Sequence, residues 1–218
     1  MTPSKSKSSQ IRWGWWAMTI MGTLIAVSAL RYFSRDPNVF FSHQAQTYLA
    51  NLNLLLVHIG FGVVAILTGP WQFLPRFRAR YKKVHRWVGL TYATSIFISG
   101  VAGLFVAQQA FGGILATLGF SMLSLLWMTA TTGGLVRAYQ KKWAKHQVWM
   151  IYSFALTFAF VTFRMWLALP LLVPISFESA YVLSSWLCWA GNLLFVRFWL
   201  LKKPAKAPLN GHNAAAPL

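Results

Sequence analysis

The stretch Arg76–Gly89 reads RFRARYKKVHRWVG. Six Lys and Arg fall between Arg76 and Arg86, and an apolar run begins directly behind them. A helix leaving a membrane surface needs this step: the cations stay with water and lipid phosphates while the apolar residues enter hydrocarbon. His85 sits on the seam, so the same stretch raises a functional question. The histidine belongs either to a basic belt or to the rim of a site.

The pattern recurs along the chain. Crossing a bilayer as a helix takes about 20 mostly apolar residues, and six segments qualify: Trp13–Phe33, Tyr48–Phe73, Val84–Ala107, Phe111–Arg137, His146–Leu169 and Ser179–Leu201. The expected fold is an all-α polytopic membrane helical bundle with six transmembrane helices. Residues 1–12 form an N-terminal tail, 13–201 the six-helix domain and 202–218 a C-terminal tail. That last tail, small, polar and Pro-containing, is expected to be disordered, with His212 playing no part. Ala26–Ala29 reads AVSA, a tolerable signal-peptide cleavage site, but the apolar run around it is long for a signal peptide. It is read as an uncleaved first span.

Composition agrees. Of 218 residues 57% are hydrophobic and only 10% charged, where soluble domains carry about 25% charged residues. Twenty Lys and Arg against two acidic residues would indicate nucleic acid in a polar chain. Here the cations alternate with apolar runs, which selects the bilayer and excludes nucleic acid. A single cysteine, Cys188, rules out a disulfide within the chain and a Cys-based metal site. With two acids in the whole chain, paired-carboxylate hydrolysis has no residues to run on. No Walker loop, dinucleotide fingerprint or Ser/His/Asp arrangement is present. No pair of broken helices of the kind that marks many transporters is evident either.

The cations cluster at one side. Lys5, Lys7 and Arg12 precede the first span, and the Arg76–Arg86 group lies between spans two and three. Arg137, Lys141, Lys142 and Lys145 lie between spans four and five, and Arg197, Lys202, Lys203 and Lys206 end the chain. Only Arg31, Arg35 and Arg164 fall on the other side. Lys and Arg favour cytoplasmic loops, so both termini are expected to face the cytoplasm of a cell's inner membrane, where anionic lipid head groups would meet them. Trp13, Trp15, Trp16, Trp71, Trp87, Trp143, Trp149 and Trp199 fall near that interface, as an aromatic belt should.

Polar side chains inside spans are costly and ask for a reason. At helical spacing, span five carries His146, Met150, Ser153, Thr157, Val161 and Arg164 along one side. Arg164 lies about 27 Å from His146 along the axis. Span two carries Asn51, His58, Gly62, Gly69 and Gln72, with His58 about 21 Å from Gln72. Span three carries His85, Gly89, Tyr92, Ser99 and Gly103, and Gly100 and Gly103 are read as close-packing positions. Two levels follow. His85 and His146 share the basic side. His58 and Arg164 share the opposite half, with His43 and Glu178 nearby. The opposite group is either a ligand site or an Arg164–Glu178 pair relieving two isolated charges.

For the basic-side pair three readings stand. Two imidazoles on different helices can hold one haem b iron, with Arg86 and Lys145 beside the propionates. The same residues, at helix N-termini, can bind an anion or a quinone carbonyl. They can also be ordinary members of the positive belt. Zinc is disfavoured by the lack of carboxylate and Cys ligands.

The blocks His58–Leu104 and Lys145–Leu167 resemble those of a bacterial predicted-membrane-protein family, domain of unknown function 2306. The pieces are Gly69-Pro70-x-Gln72-Phe73, His85-Arg86-Trp87-x-Gly89, and His146-x-x-Trp149-Met150 followed by Arg164. The resemblance covers spans two to five and implies that His58, His85, His146 and Arg164 belong to the family's recurrent pattern. It implies no activity. A looser likeness, of helix number and histidine placement only, is to b-type membrane cytochromes. The chain departs from their four-histidine, two-haem pattern. The resulting expectation is a haem-binding redox protein with His85 and His146 on the iron, and with His58 and Arg164 framing a pocket for a quinone or other small redox partner. Its rival is a non-enzymatic membrane protein: a carrier, a lipid-contacting scaffold or a subunit of a larger complex.

Overall fold

A computed structural model describes residues 7–40 and 45–201. His43, His212 and the C-terminal tail 202–218 lie outside the described residues, as does the start of the N-terminal tail. Nine α-helices are present among the described residues: α1 (Lys7–Leu30), α2 (Ala45–Ala50), α3 (Leu52–Thr68), α4 (Pro75–Arg80), α5 (Lys82–Ala107), α6 (Gly113–Tyr139), α7 (Trp143–Thr157), α8 (Ala159–Trp166) and α9 (Phe177–Phe195). Together they build six spans long and apolar enough to cross a bilayer, as the hydropathy pattern predicts: Trp13–Ser34, Leu52–Phe73, Lys82–Ala107, Gly113–Tyr139, Trp143–Leu171 and Phe177–Leu200.

The boundaries differ from expectation where local chemistry intervenes. Span two starts at Leu52 rather than Tyr48, because Asn51 interrupts the helix and turns its amide to Gln109 Oε1, 2.9 Å away. It ends in a tight turn, Pro70–Phe73, since Pro70 lacks the N–H that would continue the ladder. Span five is broken at a point that its continuous hydrophobicity does not signal. The helix divides at Phe158, and Asn192 of α9 reaches in with its amide to Ala155 O (2.9 Å) and Thr162 Oγ1 (3.1 Å). A side chain inserted beside the i→i−4 ladder is an ordinary cause of such a break.

Packing puts α5 at the centre. Half of the most apolar window of that span is buried inside the protein, against 17% for the first span. The third span packs on α3 and α6, α6 on α7 and α9, and α8 on α9. The first span leans on α3 from outside, seating Ala26 and Ala29 of the AVSA stretch against the bundle, where both are buried. Ile59 and Ile66 of α3, Ile96 of α5 and Phe154 of α7 form part of one continuous core. Leu24, Phe105, Ile114, Leu125 and Leu194 face outward, as a lipid-contacting surface requires.

The tryptophan belt is mostly as expected. Six of the eight named rings are exposed, but Trp15 and Trp149 turn partly inward. Trp15 donates from Nε1 to Pro70 O at 2.9 Å, tying α1 to the end of span two. Trp149 lies against Gly133, where an added Cβ would meet the ring at 2.6 Å. Gly100 packs against Met128 as a close-contact position should, with only 2.9 Å available to a Cβ.

Candidate functional site

His85 and His146 are each the fourth residue of their helices. Their backbone N–H groups close the first turns onto Tyr81 O and Lys142 O, both at 2.9 Å. His146 and Arg78 both lie near enough to His85 for their charge to act on it. The Nδ1 of His146 lies 2.8 Å from Gly134 O. A carbonyl can only accept, so Nδ1 carries the proton and a neutral ring keeps its lone pair on Nε2. Close by, Gln72 lies over Gly89, where an added Cβ would stand 3.5 Å from Gln72 Oε1. Both amide atoms of Gln72, Nδ1 of His85 and Nε of Arg137 are buried and meet no partner among the described residues. Each such atom costs about 1–3 kcal/mol unless something satisfies it. Arg86 and Lys145, expected beside the histidines, are exposed. Among the described residues no group of three or more His, Cys, Asp or Glu could hold a metal ion.

The other end of the bundle holds a cavity of about 450 Å³, within the size range of small-molecule sites. His58, Arg164, Arg31, Tyr48, Trp127 and Tyr181 line it, among largely apolar neighbours. Neither His85 nor His146 does. The structure thus sorts His58, His85, His146 and Arg164 into two pairs, one at the basic end and one in this distal cavity.

His58 is positioned by α5. Its Nδ1 donates to Ser99 O at 2.8 Å, and Ser99 Oγ donates to His58 O at 2.8 Å. The ring lies over Gly103, where an added Cβ would stand 2.9 Å from Cε1 and Nδ1. Gly103 is therefore part of the site as well as a packing position. With Nδ1 committed to a carbonyl, the neutral ring presents Nε2 as an acceptor. Arg164 donates Nη1 to Phe160 O at 2.8 Å, and its Cζ stands 4.1 Å above the Phe160 ring. The alternative pairing with Glu178 is not made: Glu178 is exposed at the start of α9 and is not among the partners of Arg164.

A hydrogen-bonded cluster sits at mid-height. Tyr92 OH meets Ser153 Oγ (3.0 Å) and Thr157 Oγ1 (2.8 Å), Ser153 Oγ meets Thr131 Oγ1 (2.8 Å), and Trp127 Nε1 donates to Thr157 Oγ1 (2.9 Å). The polar faces read on spans three and five thus face each other. Thr157 and Trp127 also line the cavity, so the cluster forms part of its floor.

Arg31, Tyr48, Trp127 and Tyr181 were not read as site residues from sequence. Tyr48, in α2 just before span two, and Tyr181, near the distal end of span six, hydrogen-bond side chain to side chain. A phenol placed there is the one available signal. Nothing in the sequence marks Trp127, which reads as one more apolar residue of span four.

The family model described as "Predicted membrane protein (DUF2306)" matches residues 55–200, and the chain belongs to that family. The match runs through span six, beyond the four spans on which the resemblance was read. No curated protein and no solved structure matches the chain.

Proposed function

We propose that this DUF2306 protein is a multi-pass protein of a cell's inner membrane that binds a small amphiphile in its distal cavity, as a membrane redox or carrier protein. The observation that carries the reading is the cavity itself, which brings His58 and Arg164, more than a hundred residues apart, to one apolar space. The ligand has an apolar body and an oxygen-rich head. Arg164 donates to oxygen acceptors at one side, and His58 Nε2 accepts a proton-bearing group at another. A quinone is the redox molecule of that description, with carbonyl oxygens that become hydroxyls on reduction. By the positive-inside rule the basic end and both termini face the cytoplasm, against anionic lipid head groups, and the cavity opens in the outer half.

The test is organic extraction of the protein purified in nanodiscs, with mass spectrometry of what co-purifies, and titration with a short-chain quinone. Saturable binding that His58→Ala abolishes supports the reading. Absence of any co-purified amphiphile and of saturable binding leaves the rival, a scaffold or subunit of a larger membrane complex.

A second reading concerns the basic end, where His85 and His146 would hold haem b. It is favoured by the His146 Nδ1–Gly134 O bond, the kind of contact that orients a ligating imidazole and leaves Nε2 for iron. A haem there would supply one-electron transfer. An absorbance spectrum decides: a Soret band lost in His85→Ala supports it, and its absence after expression with ample haem refutes it.

A further inference from the structure

The cavity's charges do not balance within the protein. Its lining holds two arginines, Arg31 and Arg164, and no Asp or Glu. Arg31 lies near enough for its charge to act on Arg164, so the two like charges oppose each other. Arg31 is exposed and can be hydrated, whereas Arg164 is half-buried in the cavity wall. Its contacts are the carbonyl one turn back and an aromatic face. Most of its five N–H donors therefore have no acceptor among the described residues. A cation in the membrane half of a bundle is expensive without an opposite charge.

The chain has only two acidic residues with which to supply one. Asp36 is exposed and occupied with Asn38, accepting from its N (2.9 Å) and Nδ2 (3.0 Å). Glu178 is exposed and lies outside the lining. Elsewhere in a protein a buried arginine finds a carboxylate on a neighbouring element. Here neither acidic residue is placed to do so.

We infer that the occupant of the distal cavity is an amphiphile with an anionic oxygen head, a carboxylate or a phosphate, seated on Arg164. The inference rests on the cavity-binding reading and narrows it. A neutral quinone satisfies hydrogen bonds but leaves the charge of Arg164 uncompensated, whereas a carboxylate or phosphate does both, with the forked geometry a guanidinium favours. Fatty acids and phospholipid-derived acids share this chemistry, and carboxylate and phosphate probes separate them.

The experiment is equilibrium binding to the full chain in phosphatidylcholine nanodiscs, with empty nanodiscs subtracted. The probes are dodecanoate, dodecyl phosphate, neutral methyl dodecanoate and a short-chain ubiquinone. The expected result is at least tenfold tighter binding of one anionic probe than of the methyl ester. Arg164→Gln should erase that preference, Arg164→Lys should keep part of it, and Lys141→Gln, exposed at the other end, should leave it unchanged. If Arg164→Gln does not fold, the acid-to-ester ratio in the unmodified protein decides alone. Equal binding of acid and ester, or quinone binding that neither anion displaces, overturns the anionic head while leaving the cavity reading intact. No saturable binding of any probe by the folded chain overturns both.

Discussion

The two ends of the bundle treat positive charge in opposite ways. At the basic end the cations are many and mostly exposed, where solvent can stabilise them. At the distal end they are few, and Arg164 is half-buried, with the Phe160 carbonyl and phenyl ring as partners. Charge at an interface is inexpensive and says little about a ligand. Charge enclosed within a bundle is costly, and in a chain with two acidic residues it points to a partner the chain does not contain. The histidines follow the same division. His58 is fixed by two hydrogen bonds to Ser99 and a glycine beneath its ring, while His85 keeps a buried Nδ1 without a partner.

Gly103→Leu should have the largest effect. Its side chain would enter space already held by the His58 ring and Ser124 Oγ, the latter 3.1 Å from an added Cβ. Overpacking of this kind costs roughly 1–3 kcal/mol, and displacement of His58 should remove saturable ligand binding, measured by the nanodisc titration. Undisturbed binding would mean that His58 does not touch the ligand. Next comes Tyr92→Phe, which deletes the hydroxyl joining Ser153 and Thr157. Loss of about 1 kcal/mol of stability is expected, read as a lower denaturation temperature in detergent, with ligand affinity changed less than in Gly103→Leu. A reversed order would make the mid-height cluster, and not the cavity wall, the seat of binding. The smallest effect belongs to Arg86→Gln and Lys145→Gln. Both residues are exposed, so each should fall within about 0.5 kcal/mol of the unmodified protein and leave ligand titrations superimposable. A binding defect in either would move function to the basic end.

Much of this contrast was legible in the sequence. The six spans follow from apolar length, and the two levels follow from helical spacing. Axial rise alone places His58 and Arg164 at one depth, and helical spacing alone picks out the polar faces carrying Tyr92, Ser153 and Thr157. What sequence could not show depends on which spans are neighbours. Trp127 serves the cavity only because α6 packs on both α5 and α7. The division at Phe158 arises where Asn192, some thirty residues away, approaches Ala155 O. The Arg164–Glu178 pairing failed for the same reason: both residues belong to the distal side, but Glu178 stands at the exposed start of α9, away from the cavity. Periodicity gives the depth and face of a side chain, and the helix it meets is settled by packing across the whole bundle.

Native mass spectrometry of the protein released from native lipid compares the two ends in one experiment. A bound amphiphile should be carried by the unmodified protein and by the double variant His85→Ala/His146→Ala, and lost from Arg164→Gln. An adduct that survives in Arg164→Gln and disappears from the double histidine variant would place the ligand at the basic end and contradict the distal site.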